Sequence, residues 1–160
     1  IPKLLERTGT NDKGTITAFY TVLVDSDDMN EPITDKVRGT LDGHIVLDRK
    51  LAQSFHYPAI DVLQSISRLS KRVTGKMTQK ACGRIRELMS LYQANSQMIL
   101  AGIYEKGNSP QIDEAVDKHQ IIEAFLKQEE DEKFSIKNIL DLLSYVTGIE
   151  IPENESWSKI

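Results

Sequence analysis

The sequence predicts an α/β segment followed by an all-α helical bundle. Residues 15–25 form an almost continuous run of β-favouring side chains, which is typical of a strand covered on both faces. Beyond residue 76, apolar residues recur at spacings of three, four and seven, as they do along one face of a helix. A composition of 39% hydrophobic and 28% charged residues fits a folded globular chain.

The α/β part contains two predicted strands and one short predicted helix. The first strand, over 15–25, contains Ile16, Phe19, Tyr20, Val22, Leu23 and Val24. After a short segment at 35–41, the pair Asp42-Gly43 is expected to turn the chain into a second strand, His44–Leu47. Residues 49–55 are then predicted to form a short helix.

Three amphipathic helices are predicted in the second part. The first, about 25 residues long, is marked by Ala81, Ile85, Leu88, Tyr92, Ile99 and Ile103. Ser109 and Pro110 are the expected N-cap and first residue of the second helix, whose face contains Ile112, Ala115, Val116, His119, Ile122 and Leu126. Ser135 is the predicted cap of a third helix with Ile136, Ile139, Leu140, Leu143 and Val146, and Gly148 its stop.

The composition changes near residues 71–76, where Thr74-Gly75 interrupts the pattern. We therefore predict one domain over residues 1–72 and a helical domain over residues 73–160. Residues 128–133 are expected to be a charged, solvated stretch, and residues 150–160 a loose tail.

Composition also bears on the class of protein. A formal charge of −4 gives no reason to expect nucleic-acid binding. The one cysteine, Cys82, excludes an internal disulfide and is expected to pack as a small apolar side chain. The sequence contains no signal peptide and no apolar run long enough to span a membrane. Ile1-Pro2 is an unusual start, which suggests a truncated chain.

No metal site is predicted. The three histidines lack metal-ligand spacing. The acidic loop at 25–31 would be an EF-hand only with an oxygen ligand, a glycine and a glutamate at its fifth, sixth and twelfth positions. Met29, Asn30 and Lys36 occupy these positions, so a solvated turn is expected instead.

The segment from His56 to Arg68 carries the most chemical information. Pro58 favours extended geometry for Tyr57, whose ring could then stack on a planar ligand. Arg68 ends the apolar run, and a fixed guanidinium can bind phosphate through two hydrogen bonds. The alternatives are a core tyrosine and an arginine in a surface ion pair.

Several blocks in register resemble one known family. The run HYPAIDVLQSISR at 56–68 is similar to the end of the nucleotide-binding domain of rotary ATPases. The blocks DDMNEPI (27–33) and LDGHIVLDR (41–49) resemble flagellar and type III secretion export ATPases, and residues 103–115 resemble the flagellar branch. The resemblance extends to about Gly148. It implies the remnant of a RecA-like nucleotide-binding domain, followed by an all-α C-terminal helical bundle.

The same resemblance assigns roles to residues. Arg68 matches an arginine finger, which reaches into a neighbouring subunit and stabilises charge on the transferring phosphoryl group. Tyr57 matches the aromatic side chain that packs on adenine. Asp27, Asp28 and Glu31 match a loop that contacts a central coiled-coil stalk.

No G-x-x-x-x-G-K-S/T motif occurs in the sequence. The predicted first strand ends in Leu23-Val24-Asp25, but the resemblance places this strand after the Walker B position, so no Walker B aspartate is expected. We therefore expect that the complete protein hydrolyses ATP with Mg²⁺, whereas this segment alone is inactive and binds no cofactor tightly.

The resemblance implies a flagellum-specific protein-export ATPase. Such a protein works as a cytoplasmic homohexamer at the inner membrane, attached peripherally through the export apparatus. Its helical domain would face chaperones and export substrates. The alternatives are a virulence type III secretion ATPase and a non-catalytic helical adaptor.

Overall fold

The computed structural model describes residue 3 and residues 7–24 and 32–155, which fall into two compact units, one up to His44 and one from Ile45 onwards. In the first unit, strands β1 (Gly9–Asn11) and β2 (Gly14–Ile16) form an antiparallel hairpin in which Gly9 pairs with Ile16. The side chain of Asn11 accepts hydrogen bonds from the backbone of the turn. Helix α1 (Pro32–Thr40) also belongs to this unit.

The strand predicted over residues 15–25 is largely absent from the described residues. Only its first two residues belong to β2, and residues 17–24 have no regular structure. Phe19 and Leu23 are each 93% exposed. A strand needs partners for its N–H and C=O groups, and no strand in the described part of the chain pairs with residues 17–24.

Two strands and two short helices open the second unit. Strand β3 (Gly43–Leu47) begins just before the unit boundary and pairs with β4 (Ile60–Ser67). Helix α2 (Arg49–Gln53) lies between them, capped by Asp48, whose carboxylate accepts from the Lys50 N–H at 2.7 Å. Helix α3 (Ser70–Val73) follows β4. The predicted strand at His44–Leu47 and the short helix after it are thus confirmed.

Three helices build the core of this unit, as predicted. They are α4 (Lys76–Leu100, 25 residues), α5 (Pro110–Leu126) and α6 (Ile136–Thr147). Each has its own apolar stripe, and the three stripes meet. The buried cluster consists of Ala81, Ile85, Leu88, Ala115, Ile122, Leu140, Leu143 and Val146. No helix among the described residues is long and apolar enough to cross a membrane.

The ends of the helices follow their capping residues. Ser109 and Ser135 are the N-caps of α5 and α6, and Ser135 forms a reciprocal capping box with Asn138. Gly148, with φ of 71°, ends α6 in the left-handed conformation. These predicted boundaries are confirmed.

Helix α4 ends earlier than its apolar pattern suggested. Gly102 has φ of 70°, and the N–H of Ile103 bonds to the carbonyl of Met98 at 2.9 Å, which closes the helix in a Schellman motif. Ile103 consequently lies outside the helix and is 67% exposed.

Cys82, expected to be packed, is also exposed. It lies directly beside the buried stripe of α4 rather than on it.

The predicted loose tail is ordered as far as Glu155. Ile151 packs against the core, and Glu153–Glu155 form one turn of 3₁₀ helix. The Glu155 carboxylate accepts hydrogen bonds from the N–H groups of Met77 and Thr78, at 3.0 and 2.8 Å. It therefore caps the start of α4, which no spacing in the sequence indicated. Residues 156–160 lie outside the described part.

Candidate functional site

The two predicted site residues lie beyond opposite ends of β4. Tyr57 precedes the strand by three residues, and Arg68 follows it directly. Eight extended residues span roughly 23 Å at the usual strand rise. The strand therefore separates the tyrosine from the arginine within one chain, and the two do not form a common pocket.

Tyr57 is presented at the surface by a fixed backbone. Its peptide bond to Pro58 is cis, and the Pro58 carbonyl accepts from the Ile60 N–H at 2.8 Å. The Tyr57 carbonyl accepts from the N–H of Gln128 at 2.9 Å. The side chain itself is 53% exposed. Tyr57 is thus no core tyrosine, and its ring is accessible to a planar group.

His56 anchors the same segment in the helical bundle. The residue is 4% exposed, and its Nδ1 donates to Oε2 of Glu123 on α5 at 3.0 Å. Its backbone N–H bonds to the carbonyl of Leu51 at 2.9 Å. Together with the bond from Gln128, these contacts tie both sides of Tyr57 to structured elements.

Arg68 lies at the exposed exit of β4. The next turn is closed by Ser70, whose hydroxyl donates to the Ser67 carbonyl at 3.0 Å. Just inside the strand, the hydroxyl of Ser65 donates to the Asp61 carbonyl and accepts from the Val46 N–H at 3.0 Å. The backbone that carries Arg68 is therefore restrained on the strand side and on the helix side.

Sequence reasoning missed Arg86, a half-buried residue of α4. Its Nη2 donates to the Ser65 carbonyl at 2.7 Å and lies 3.3 Å from the Leu63 carbonyl. The only signal in the sequence is a charged residue between two core positions, Ile85 and Leu88. That pattern indicates a long side chain beside the core but does not identify the strand that it contacts.

The described residues provide no candidate site for Mg²⁺. No group of three acidic, histidine or cysteine side chains with the geometry of a metal site occurs among the described residues. Asp27, Asp28 and Glu31 lie outside the part of the chain that the structure describes.

Two protein families match the chain, one in each half. Residues 1–67 match the ATP synthase alpha/beta family, nucleotide-binding domain. Residues 74–144 match the T3SS EscN ATPase C-terminal domain. The first match includes Tyr57 and ends one residue before Arg68, whereas the second includes Arg86.

Curated relatives cover almost all of the chain. The flagellum-specific ATP synthase of Bacillus subtilis is 51% identical over 150 residues, which are 94% of this chain and 34% of the relative. The type 3 secretion system ATPase of Pseudomonas syringae pv. syringae is 46% identical over 96% of this chain and 34% of the relative. The chain thus spans about a third of the length of the curated relatives it matches.

Solved structures agree with this relationship. The assembled ATPase EscN from the enteropathogenic E. coli type III secretion system superposes with a TM-score of 0.88 at 40% identity. The superposition covers 91% of this chain and 35% of EscN. EscN in complex with its central stalk EscO gives a TM-score of 0.82 at 38% identity, over 91% of this chain and 34% of that one.

Proposed function

We propose that this chain, which belongs to the flagellar and type III secretion export ATPase family, is part of a flagellum-specific protein-export ATPase. The complete protein would couple ATP hydrolysis to type III protein export. This part would supply an arginine finger, a tyrosine that stacks on adenine, and a helical domain that meets chaperones and substrates.

The observation that carries the proposal is the placement of Tyr57 and Arg68 beyond opposite ends of β4. A nucleotide stacked on Tyr57 cannot place its terminal phosphate at Arg68 of the same chain if the full strand separates them. In a ring, however, each subunit could offer Tyr57 to its own nucleotide and Arg68 to its neighbour's. The geometry of a single chain thus favours a site shared between subunits.

Arg68 would act on the charge that develops during phosphoryl transfer. A guanidinium presents several N–H donors in one plane and can contact two phosphoryl oxygens at once. A finger of this kind raises kcat by about 10³–10⁵ in NTPases where it has been measured. Restraints at Ser65 and Ser67 support the proposal, because a finger must be held in place before the nucleotide arrives.

Tyr57 would bind the base. Stacking on an exposed ring gives affinity without reading the hydrogen-bonding edge of the purine. Weak discrimination between ATP and GTP would follow. The buried anchor at His56 supports this role, since it fixes the backbone from which the ring projects.

The triphosphate and Mg²⁺ do not fit the described residues. The sequence lacks the P-loop motif that cradles phosphates, and the described part holds no cluster of metal ligands. ATP and Mg²⁺ would therefore be held mainly by other parts of the complete ATPase. We expect the 160-residue chain alone to show no ATPase activity above background. Isothermal calorimetry that gave micromolar affinity for Mg-ATP would contradict this expectation.

The proposed partners follow from the same family. The complete protein would form a homohexamer, and EscN has been solved as an assembled ATPase and with its stalk EscO. By analogy, Asp27, Asp28 and Glu31 would contact a central stalk. A cytoplasmic position, peripheral to the inner membrane at the export apparatus, would suit these contacts. A domain boundary at residues 72–73, between the two family matches, completes the proposal.

Two other functions are less well supported. A virulence secretion ATPase would share the chemistry, and the SPI-2 type 3 secretion system ATPase of Salmonella typhimurium is 50% identical over 82% of this chain, against 51% over 94% for the flagellar relative from Bacillus subtilis. A non-catalytic adaptor has no need for a restrained arginine at a strand exit.

The finger can be tested in the full-length ATPase that contains this segment. Arg68→Ala should lower kcat by about 10³-fold or more with little change in nucleotide affinity. Arg68→Lys should rescue little because a point charge does not reproduce the planar fork. Arg72→Ala, which removes an arginine from the next helix, is the matched control and should retain activity. Ring assembly is checked by native mass measurement in every sample.

Subunit mixing shows whether the arginine acts across an interface. Arg68→Ala subunits combined with subunits that lack the P-loop lysine should regain part of the activity, because some interfaces then pair two intact halves. Well-assembled Arg68→Ala rings that hydrolyse ATP at the wild-type rate would exclude the finger.

A further inference from the structure

We infer that Arg86, on the first helix of the bundle, is a positioning residue for Arg68. The inference rests on the proposed function of Arg68 as a finger. It concerns a contact between α4 and β4, namely the 2.7 Å hydrogen bond from Nη2 of Arg86 to the carbonyl of Ser65. Arg86 would not touch the nucleotide itself.

The hydrogen bond from Arg86 restrains β4 close to the end that carries Arg68. The carbonyls of Leu63 and Ser65 are two residues apart and so lie on the same side of the extended strand. One guanidinium nitrogen lies 2.7 and 3.3 Å from them. Arg68 is only three residues beyond Ser65, so a shift of this carbonyl is transmitted directly to the finger.

Arg86 projects from a part of α4 that packs into the core. It lies between Ile85 and Leu88, which are 4% and 1% exposed in the core of the bundle. The contact therefore connects the strand exit to a 25-residue helix rather than to a mobile loop. Ser65 completes the arrangement, because its hydroxyl accepts from the Val46 N–H at 3.0 Å on β3.

The expected kinetic effect follows from the geometry. Without the arginine, the strand exit loses a charge-assisted hydrogen bond and the finger samples more positions. A displacement of about 1 Å in a catalytic group can reduce the rate by about 10²-fold. Arg86→Met should therefore lower kcat about ten- to a hundredfold in the full-length ATPase, with KM for ATP unchanged. Arg86→Lys should fall between Arg86→Met and wild type.

A double-mutant cycle with Arg68→Ala distinguishes a positioning role of Arg86 from a role in fold stability alone. If Arg86 acts through the finger, Arg86→Met should cost nothing further once Arg68 has been removed. The double variant should therefore have the kcat of Arg68→Ala alone. An arginine that only stabilises the fold would reduce kcat by the same factor in both backgrounds.

Arg84→Met is the matched control. Arg84 lies two residues earlier on α4, but its guanidinium pairs with Glu87 and Glu114 instead of β4. It should leave kcat unchanged. Native mass and Tm are measured for each variant, so that loss of the ring or of the fold is seen directly.

The outcomes distinguish failure of the positioning role of Arg86 from failure of the finger role of Arg68. A wild-type kcat for assembled Arg86→Met rings would overturn the positioning role, and so would full additivity in the cycle. A wild-type kcat for assembled Arg68→Ala rings would instead overturn the finger, and the positioning role with it. Loss of kcat in Arg86→Met that disappears in the Arg68→Ala background would support both.

Discussion

Nδ1 of His56 lies 3.0 Å from Oε2 of Glu123, and this hydrogen bond joins the turn before β4 to helix α5. The histidine is 4% exposed, so the carboxylate takes the place that water would otherwise occupy. One residue further on, the Tyr57 carbonyl accepts from the N–H of Gln128, just beyond the same helix. The segment that would hold adenine is thus fixed by the helical bundle.

Removal of the Glu123 carboxylate should destabilise this junction. Glu123→Ala would leave the buried Nδ1–H of His56 without an acceptor, which costs about 1–3 kcal/mol for a buried polar group. Urea unfolding of the 160-residue chain, followed by circular dichroism, would measure the change. Glu130→Ala, at an exposed position just beyond α5, should change the free energy of unfolding little. Equal effects of the two substitutions would contradict the prediction.

Stability should depend on pH through Glu155. Hydrogen bonds from the backbone N–H groups of Met77 and Thr78 lower the pKa of this carboxyl from its ordinary value of 4.5. Because the folded-state pKa is the lower one, its contribution is fully present above the unfolded pKa and is lost as the pH falls through the folded pKa. Glu155→Gln should therefore lower the Tm at about pH 7, and this difference should shrink as the pH falls below 4.5.

The difference in Tm between the two proteins isolates this one carboxyl. Other acidic groups, including Glu153 paired with Lys137, are present in both and cancel. Glu150→Gln, which neutralises an exposed carboxyl nearby, is the control variant. A Tm difference that stays constant from about pH 7 to about pH 3 would show that charge at Glu155 does not matter.

Gly75 at the N-cap of α4 and Gly83 within α4 should respond to alanine in opposite directions. A Cβ at Gly75 would overlap the carboxyl group of Glu155, which could move only by giving up its bonds to the helix start. Gly75→Ala should therefore lower the Tm. A Cβ at Gly83 meets nothing within 4 Å, so Gly83→Ala should stabilise the helix by about 0.5–1 kcal/mol.

The effect of Gly75→Ala can also be measured in a protein that lacks the Glu155 carboxylate. In a Glu155→Ala background the overlap at Gly75 disappears, and Gly75→Ala should lose most of its effect. Thermal melts of the wild type, Gly75→Ala, Glu155→Ala and the double variant give the coupling between the two residues. An undiminished effect would mean that Gly75 is required for its backbone alone.

Leu88 should dominate the stability of the bundle. It is 1% exposed and lies where the stripes of the three helices meet. Leu88→Ala should cost about 2–5 kcal/mol through lost burial and the cavity that remains. Leu100→Ala removes the same atoms from a side chain that is 80% exposed, and should cost much less. Both values come from denaturant midpoints, and similar losses at the two sites would argue against this core.

The helical part was predictable because its signals are local. Apolar residues at helical spacing define each stripe, and the start and end of α6 are set by Ser135 and Gly148. A pattern of spacing nevertheless continues after the helix has ended, as Ile103 shows. There the left-handed conformation of Gly102 overrides the spacing.

The first unit was less predictable for a related reason. The β-favouring run after residue 16 has the composition of a buried strand, yet a strand also requires neighbours for its backbone. Composition indicates that a segment favours the strand conformation. It does not indicate whether neighbouring strands are present to pair with the backbone of that segment.

By itself, the sequence indicated the resemblance to export ATPases, the three helices with their caps, and Tyr57 and Arg68 as candidate site residues. Only the tertiary structure decided the contacts that hold these elements in place. The Glu123 carboxylate bonds to His56, the Arg86 guanidinium bonds to the Ser65 carbonyl near the exit of β4, and the Glu155 carboxylate caps the start of α4. Each of these contacts joins residues at least 21 positions apart. Spacing along a chain encodes hydrogen bonds and stripes within one element, whereas contacts between elements exist only after the apolar faces have packed and brought distant polar groups together.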